Sequence, residues 1–131
     1  MLTNERTAIE AARQAVLAYL APWALGPQAA YRVELVLEET LMNIVWHAFP
    51  KGGVHPVELT VRVEGDAIEL RFENDGIEFD PTTALQPTLP ERIEDAHVGG
   101  LGLMLVRRCA RSLDYRRESG RNRLTVVVAA A

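Results

Sequence analysis

Two short segments flanking a turn signal constrain this chain more than any other feature. PVELTVRVE (56–64) and AIELRFE (67–73) each alternate apolar and polar residues, and only Gly65-Asp66 separates them. Period-two alternation places every apolar side chain on one face of a strand. Two such strands joined by two residues form a hairpin. A lone hairpin is at best marginally stable in water, so the rest of the chain must supply further strands and a layer over the apolar face.

The flanking segments supply both. Residues 3–21 carry Ile9, Ala12, Val16, Leu17 and Leu20 at helical spacing, with Thr3 or Asn4 placed to cap the start. Pro22 and Gly26-Pro27 interrupt that pattern. A longer helix is expected over 28–48, with an apolar stripe of Val33, Val36, Leu37, Leu41, Ile44, Val45 and Ala48, ended by Pro50 and Gly52-Gly53. LGLMLVRRCARS (101–112) reads as a third helix, and 113–118 and 122–129 read as two more strands turned at Gly120. The order is α α β β, a break, then α β β. It predicts an α+β fold, a two-layer α/β sandwich in which three helices cover one face of a mixed, mostly antiparallel sheet. At 131 residues the chain is expected to be one domain, 1–131.

The break is informative. Residues 75–100 hold Gly76, Pro81, Pro87, Pro90, Gly99 and Gly100 and show little periodicity. Stretches of this length without regular structure are uncommon in compact domains unless they are functional. Composition narrows the function. A net charge of −4 argues against a nucleic-acid binder, and no apolar run is long enough for a membrane span. Lys51 is the single lysine, so no mechanism can rest on a lysine cluster. Cys109 is the single cysteine, which fits a reducing, cytoplasmic setting. Cys109 reads as a small core residue, and Trp23 and Trp46 as packing anchors.

Three constellations could carry chemistry. In the second helix, α geometry puts Glu39, Asn43 and His47 on one stripe at the edge of the apolar one. A solvated helix edge would show the same spacing. Equally, Asn offers a neutral oxygen to Mg²⁺, and Glu can take a proton or orient a water. At the exit of a strand stands ENDGIEFDP (73–81), either a plain turn or a turn that holds a polar side chain against a base edge. GGLGL (99–103) opens a helix after the break. It is either a hinge or a place where a phosphate meets the free N–H groups of a helix start.

Taken together and in this order, EETLMNIVWHAF (38–49), ENDGIEFDP (73–81), GGLGLMLV (99–106) and GRNRLTVVV (120–128) resemble the GHKL ATPase superfamily, with its Bergerat nucleotide fold. More narrowly, the chain is similar to the anti-sigma-factor serine/threonine kinases, the single-domain branch that acts in bacterial partner switching. The resemblance runs from about residue 5 to 128. It implies an ATP-Mg²⁺-dependent protein kinase whose substrate is an anti-sigma-factor antagonist. A sigma factor and a second copy of the chain are further partners within its scope, with no direct nucleic-acid or membrane contact.

By the same resemblance Glu39 falls on the catalytic base and Asn43 on the Mg²⁺-binding Asn. Asn74 falls on the Asp that reads the adenine amino group, here with an uncharged amide oxygen as acceptor. Gly76 falls on the glycine that lets adenine approach. Gly100, Leu101 and Gly102 fall at the phosphate end of an ATP lid spanning about 82–98. His47 takes a structural or lid-facing place. The family's arginine before GGLG is replaced by Ala96, His97 and Val98, which leaves Arg92 as the lid's arginine and His97 as its other candidate cation. The other reading is a GHKL-fold module that sequesters a regulatory partner with weak or no transfer activity.

Overall fold

The computed structural model describes residues 2–3, 6–49, 53–78 and 100–130, with the backbone alone at 2–3, 6, 46–47 and 100–103. The chain runs β1 (Leu2–Thr3), α1 (Arg6–Leu20), a 3₁₀ turn (Ala21–Trp23), α2 (Pro27–Asn43), a π turn (Ile44–Ala48), β2 (Pro56–Glu64), β3 (Ala67–Asn74), α3 (Gly100–Cys109), β4 (Ser112–Glu118) and β5 (Arg121–Ala129). The strands form one sheet in the order β1-β2-β3-β5-β4. Every pairing among the described residues is antiparallel.

Both hairpins follow from local chemistry. Glu64 pairs with Ala67 across Gly65-Asp66, and Gly65 takes a positive φ of 60°. Glu118 pairs with Arg121 across Ser119 and Gly120, which both have positive φ. Such turns match the twist of the strands they join. The alternation then sets the faces. Ile68, Leu70, Phe72 and Asn74 of β3 are buried, as are Asn122, Leu124, Val126 and Val128 of β5. Val57 of β2 shares their face by register with Asn74.

The helices cover that face. α2 touches α1, α3 and β5, and supplies Val33, Val36, Leu37 and Leu41 to the core. Val16 and Leu20 come from α1 and Val106 from α3. Each such side chain contributes about 1.5–3 kcal/mol by leaving water. The opposite face of the sheet is charged. Glu58 and Glu73 stand directly across from each other, a destabilising pair offset by Arg121 near both and by Arg123 Nε at 2.7 Å from Glu73.

Four local expectations are corrected. The first helix does not begin at residue 3: Leu2 and Thr3 pair with Val57 and Pro56, because the start of β2 offers edge groups to bond, and Asn4, the other expected cap, lies outside the described residues. The helix expected over 28–48 is α only to Asn43 and continues as a π turn. The third helix stops at Cys109, because the Arg111 N–H is taken by Val127 O at 2.6 Å, which starts β4. Trp23 is no core anchor. It is 46% exposed and lies against Tyr19 with ring centroids 5.4 Å apart.

Candidate functional site

Asn43, the last α-helical residue of α2, is buried at 3% exposure. Its Nδ2 donates to the backbone carbonyl of Glu39 at 2.7 Å. That bond settles the amide orientation, since a carbonyl can only accept. The remaining atom, Oδ1, is buried and has no partner among the described residues. Thr40 Oγ1, one turn earlier on α2, is in the same condition. An unpaired buried acceptor costs about 1–3 kcal/mol. A cation bound at Oδ1 would offset that cost, so the donor set fits a hard, oxygen-seeking ion such as Mg²⁺. No group of three or more His, Cys, Asp or Glu side chains converges among the described residues.

Glu39 lies one turn before Asn43 and is half-buried. Burial raises its carboxyl above the ordinary range, and the neighbouring Glu38 charge adds to the effect. A carboxylate shifted upward in this way is a stronger base at neutral pH than an exposed one. The α geometry that put His47 on that stripe does not apply at its position. The 100° step holds for α geometry, whereas residues Ile44–Ala48 form a π turn with more residues per turn. Its side chain is outside the described residues.

The π turn ends at Ala48, and there the helix meets the exit of β3. The Ile77 N–H donates to Ala48 O at 2.9 Å. Gly76 packs so closely that an added Cβ would stand 2.4 Å from Ala48 O and 2.7 Å from Ala48 Cβ. The missing side chain of Gly76 is thus used by the protein itself, to seat the 74–77 turn against the end of α2. This is a packing role that the turn reading of the sequence did not include.

Asn74, also 3% exposed, anchors the same turn. Its Oδ1 accepts from Gly76 N at 2.9 Å and from Asn122 Nδ2 at 3.0 Å. Asn122 Nδ2 also donates to Ile77 O at 2.8 Å, and its Oδ1 accepts from Tyr115 Oη and from Arg117 Nη1 at 3.1 Å. Arg117 Nη1 donates to Gly76 O at 2.7 Å. The acceptor assigned to Asn74 from the sequence is therefore already engaged within the protein. Sequence reasoning missed Tyr115, Arg117 and Asn122. A signal existed: Asn122 has the same parity as Leu124, Val126 and Val128, which puts an amide in a core row.

The third segment contributes backbone. Gly100 opens α3, and Leu101 and Gly102 lie in its first turn, on a helix packed against α2. Arg92 and the lid expected over 82–98 fall outside the described residues. The structure thus joins Glu39 and Asn43 on one helix. It links the end of that helix to Asn74 and Gly76 through Ala48, and lays the helix that begins at Gly100 beside α2.

Residues 2–128 match the model of the histidine kinase-like ATPase domain. The chain belongs to that family. Over 96 residues, 73% of this ATPase domain and 68% of the relative, it is 38% identical to serine/threonine-protein kinase BtrW of Bordetella bronchiseptica. Both matches agree with the anti-sigma-factor kinase branch of the GHKL superfamily. Among solved structures the ATPase domain is similar to the histidine kinase domain of the Erythrobacter litoralis EL346 blue-light activated histidine kinase. The TM-score is 0.53 at 21% identity, covering 79% of this chain and 45% of that one. The larger structure of the same histidine kinase gives a TM-score of 0.58 at 18% identity, covering 81% of this chain and 32% of that one. The ATPase domain therefore spans less than half of the chain in either structure of that histidine kinase, and shares the fold with it. No helix among the described residues is long and apolar enough to cross a membrane.

Proposed function

We propose that this ATPase domain is an ATP-Mg²⁺-dependent serine/threonine protein kinase that acts as an anti-sigma regulatory factor. Its substrate is a serine or threonine of an anti-sigma-factor antagonist, its setting the bacterial cytoplasm and its output transcription control by partner switching. The single observation that carries the reading is the buried Oδ1 of Asn43, without a partner among the described residues and one helical turn from a half-buried carboxyl raised by its surroundings. The name of the Bordetella relative, a serine/threonine-protein kinase, supports the same chemistry.

In this reading Asn43 Oδ1 holds Mg²⁺, which supplies neutralisation of phosphate charge. Glu39 takes the proton of the acceptor hydroxyl. The backbone N–H groups opening α3 at Gly100, Leu101 and Gly102 face the phosphates, and Arg92 supplies the lid cation. Asn74 lies at the base. Most of the rate enhancement then comes from positioning and electrostatics rather than covalent chemistry by the protein. A sigma factor and a second copy of the chain are the further partners.

The engaged oxygen of Asn74 favours a second reading, a module that binds and sequesters a partner with little or no transfer. Calorimetry with ATP, with and without Mg²⁺, and radiolabelled transfer to a cognate antagonist separate the two. The kinase reading expects Mg²⁺-dependent binding and label transfer. No ATP binding at millimolar nucleotide would leave the module.

A further inference from the structure

The orientation of the Asn74 amide follows from partners that admit no alternative. One of its two terminal atoms faces the Gly76 N–H at 2.9 Å, and a backbone N–H can only donate. The same atom faces Asn122 Nδ2 at 3.0 Å. Asn122 is pinned at both ends. Its nitrogen faces the Ile77 carbonyl at 2.8 Å, and its oxygen receives Tyr115 Oη and Arg117 Nη1. Turning either amide over would set donor against donor. An amide oxygen has two lone pairs, so Asn74 Oδ1 is saturated. Its Nδ2 keeps two protons and donates to nothing among the described residues, although the side chain is 3% exposed.

Among the described residues Asn43 leaves its oxygen without a partner and Asn74 leaves its NH₂ without an acceptor. The two amides, on facing layers of the same sandwich, present opposite chemistry because their neighbours have taken opposite ends.

We infer that Asn74 donates from Nδ2 to the base, so that the site favours a purine with a carbonyl at position 6 over one with an amino group there. This rests on the proposal that a nucleotide base lies at Asn74. A 6-amino group meets Nδ2 as donor against donor. A 6-oxo group accepts from it. ATP remains a ligand through its phosphates, without a base-edge hydrogen bond from this residue. Asn74→Asp reverses the preference: one carboxylate oxygen keeps Gly76 and Asn122, and the other faces the base as an acceptor.

Inosine and adenosine triphosphates test this, because they differ only at position 6 and the adjacent ring proton. Each is titrated with Mg²⁺ into the whole chain by calorimetry. The wild type is expected to bind the inosine nucleotide about tenfold or more tightly than ATP. Asn74→Asp is expected to move that ratio about 10- to 100-fold toward ATP, the size set by one buried donor-acceptor mismatch. Asn122→Ser adds no charge and removes one donor from Asn74 Oδ1. It is expected to move the ratio the same way by a smaller factor, and it decides the matter if the first variant does not fold. A wild type that binds ATP as tightly as the inosine nucleotide overturns the inference, as does a ratio that the folded variants leave unmoved. Failure of the wild type to bind either nucleotide instead overturns the nucleotide-binding reading itself, and the inference with it.

Discussion

Replacing Gly76 by alanine should loosen the junction on which the site is built. The new Cβ would stand 2.4 Å from Ala48 O, 2.7 Å from Ala48 Cβ and 2.9 Å from Ala48 C. Two of those three atoms are backbone, so no side-chain rotation relieves the clash. The 74–77 turn or the end of α2 must move. Overpacking of this kind costs about 1–3 kcal/mol. Movement also strains the Ile77 N–H to Ala48 O bond of 2.9 Å, a further ~1 kcal/mol. Gly76 is not among the positive-φ glycines, so alanine meets no backbone penalty. It also narrows the unfolded ensemble, which returns about 0.4–1 kcal/mol. The net loss is about 1–3.5 kcal/mol, or a fall in Tm of roughly 3–14 °C for a domain of this size. Differential scanning calorimetry measures the shift. Gly26→Ser is the matched control: nothing lies within 4 Å of a Cβ there, and serine is a better helix N-cap than glycine. The reasoning fails if Gly76→Ala melts within 2 °C of wild type, an interval set at about half the shift expected for 1 kcal/mol. Nucleotide affinity should fall together with Tm, because the same junction links the Asn43 helix to the Asn74 strand.

Glu39→Gln should leave nucleotide affinity nearly intact and slow phosphoryl transfer by about 10²–10⁴-fold, read as label transfer at saturating ATP. Because the folded-state carboxyl is raised, its favourable contribution to stability is full below the ordinary carboxylate range and is lost as pH rises through the raised value. The Tm of wild type relative to Glu39→Gln should therefore fall between those two points, and a difference flat in pH would contradict the burial of Glu39. Asn43→Ala removes a buried oxygen that has no partner among the described residues, together with one hydrogen bond, so stability should change by less than about 1 kcal/mol while Mg²⁺-dependent ATP affinity drops at least about tenfold. An equal drop without Mg²⁺ would take the cation away from Asn43. Tyr115→Phe loses the Oη donor to Asn122 and should cost about 1 kcal/mol in urea unfolding with an unchanged m value.

The elements were legible because they rest on short-range periodicity. Alternation in 56–64, 67–73 and 122–129 assigns a face to each residue wherever the strand pairs, and Gly65 and Gly120 mark turns that need positive φ. Glu39 and Asn43 were legible as a pair because one helical turn separates them. The π turn at Ile44–Ala48 was not, since helix-forming residues are compatible with either winding and the choice falls to packing at Ala48. β1 was not legible either: two residues carry no periodicity, and their pairing depends on the edge that β2 leaves open. The direction of each amide lay furthest from the sequence. A single residue name covers both a donor and an acceptor, and only the neighbours select between them. For Asn43 the neighbour is the carbonyl four residues back, for Asn74 an amide 48 residues on, and that second contact exists only once β3 and β5 lie side by side.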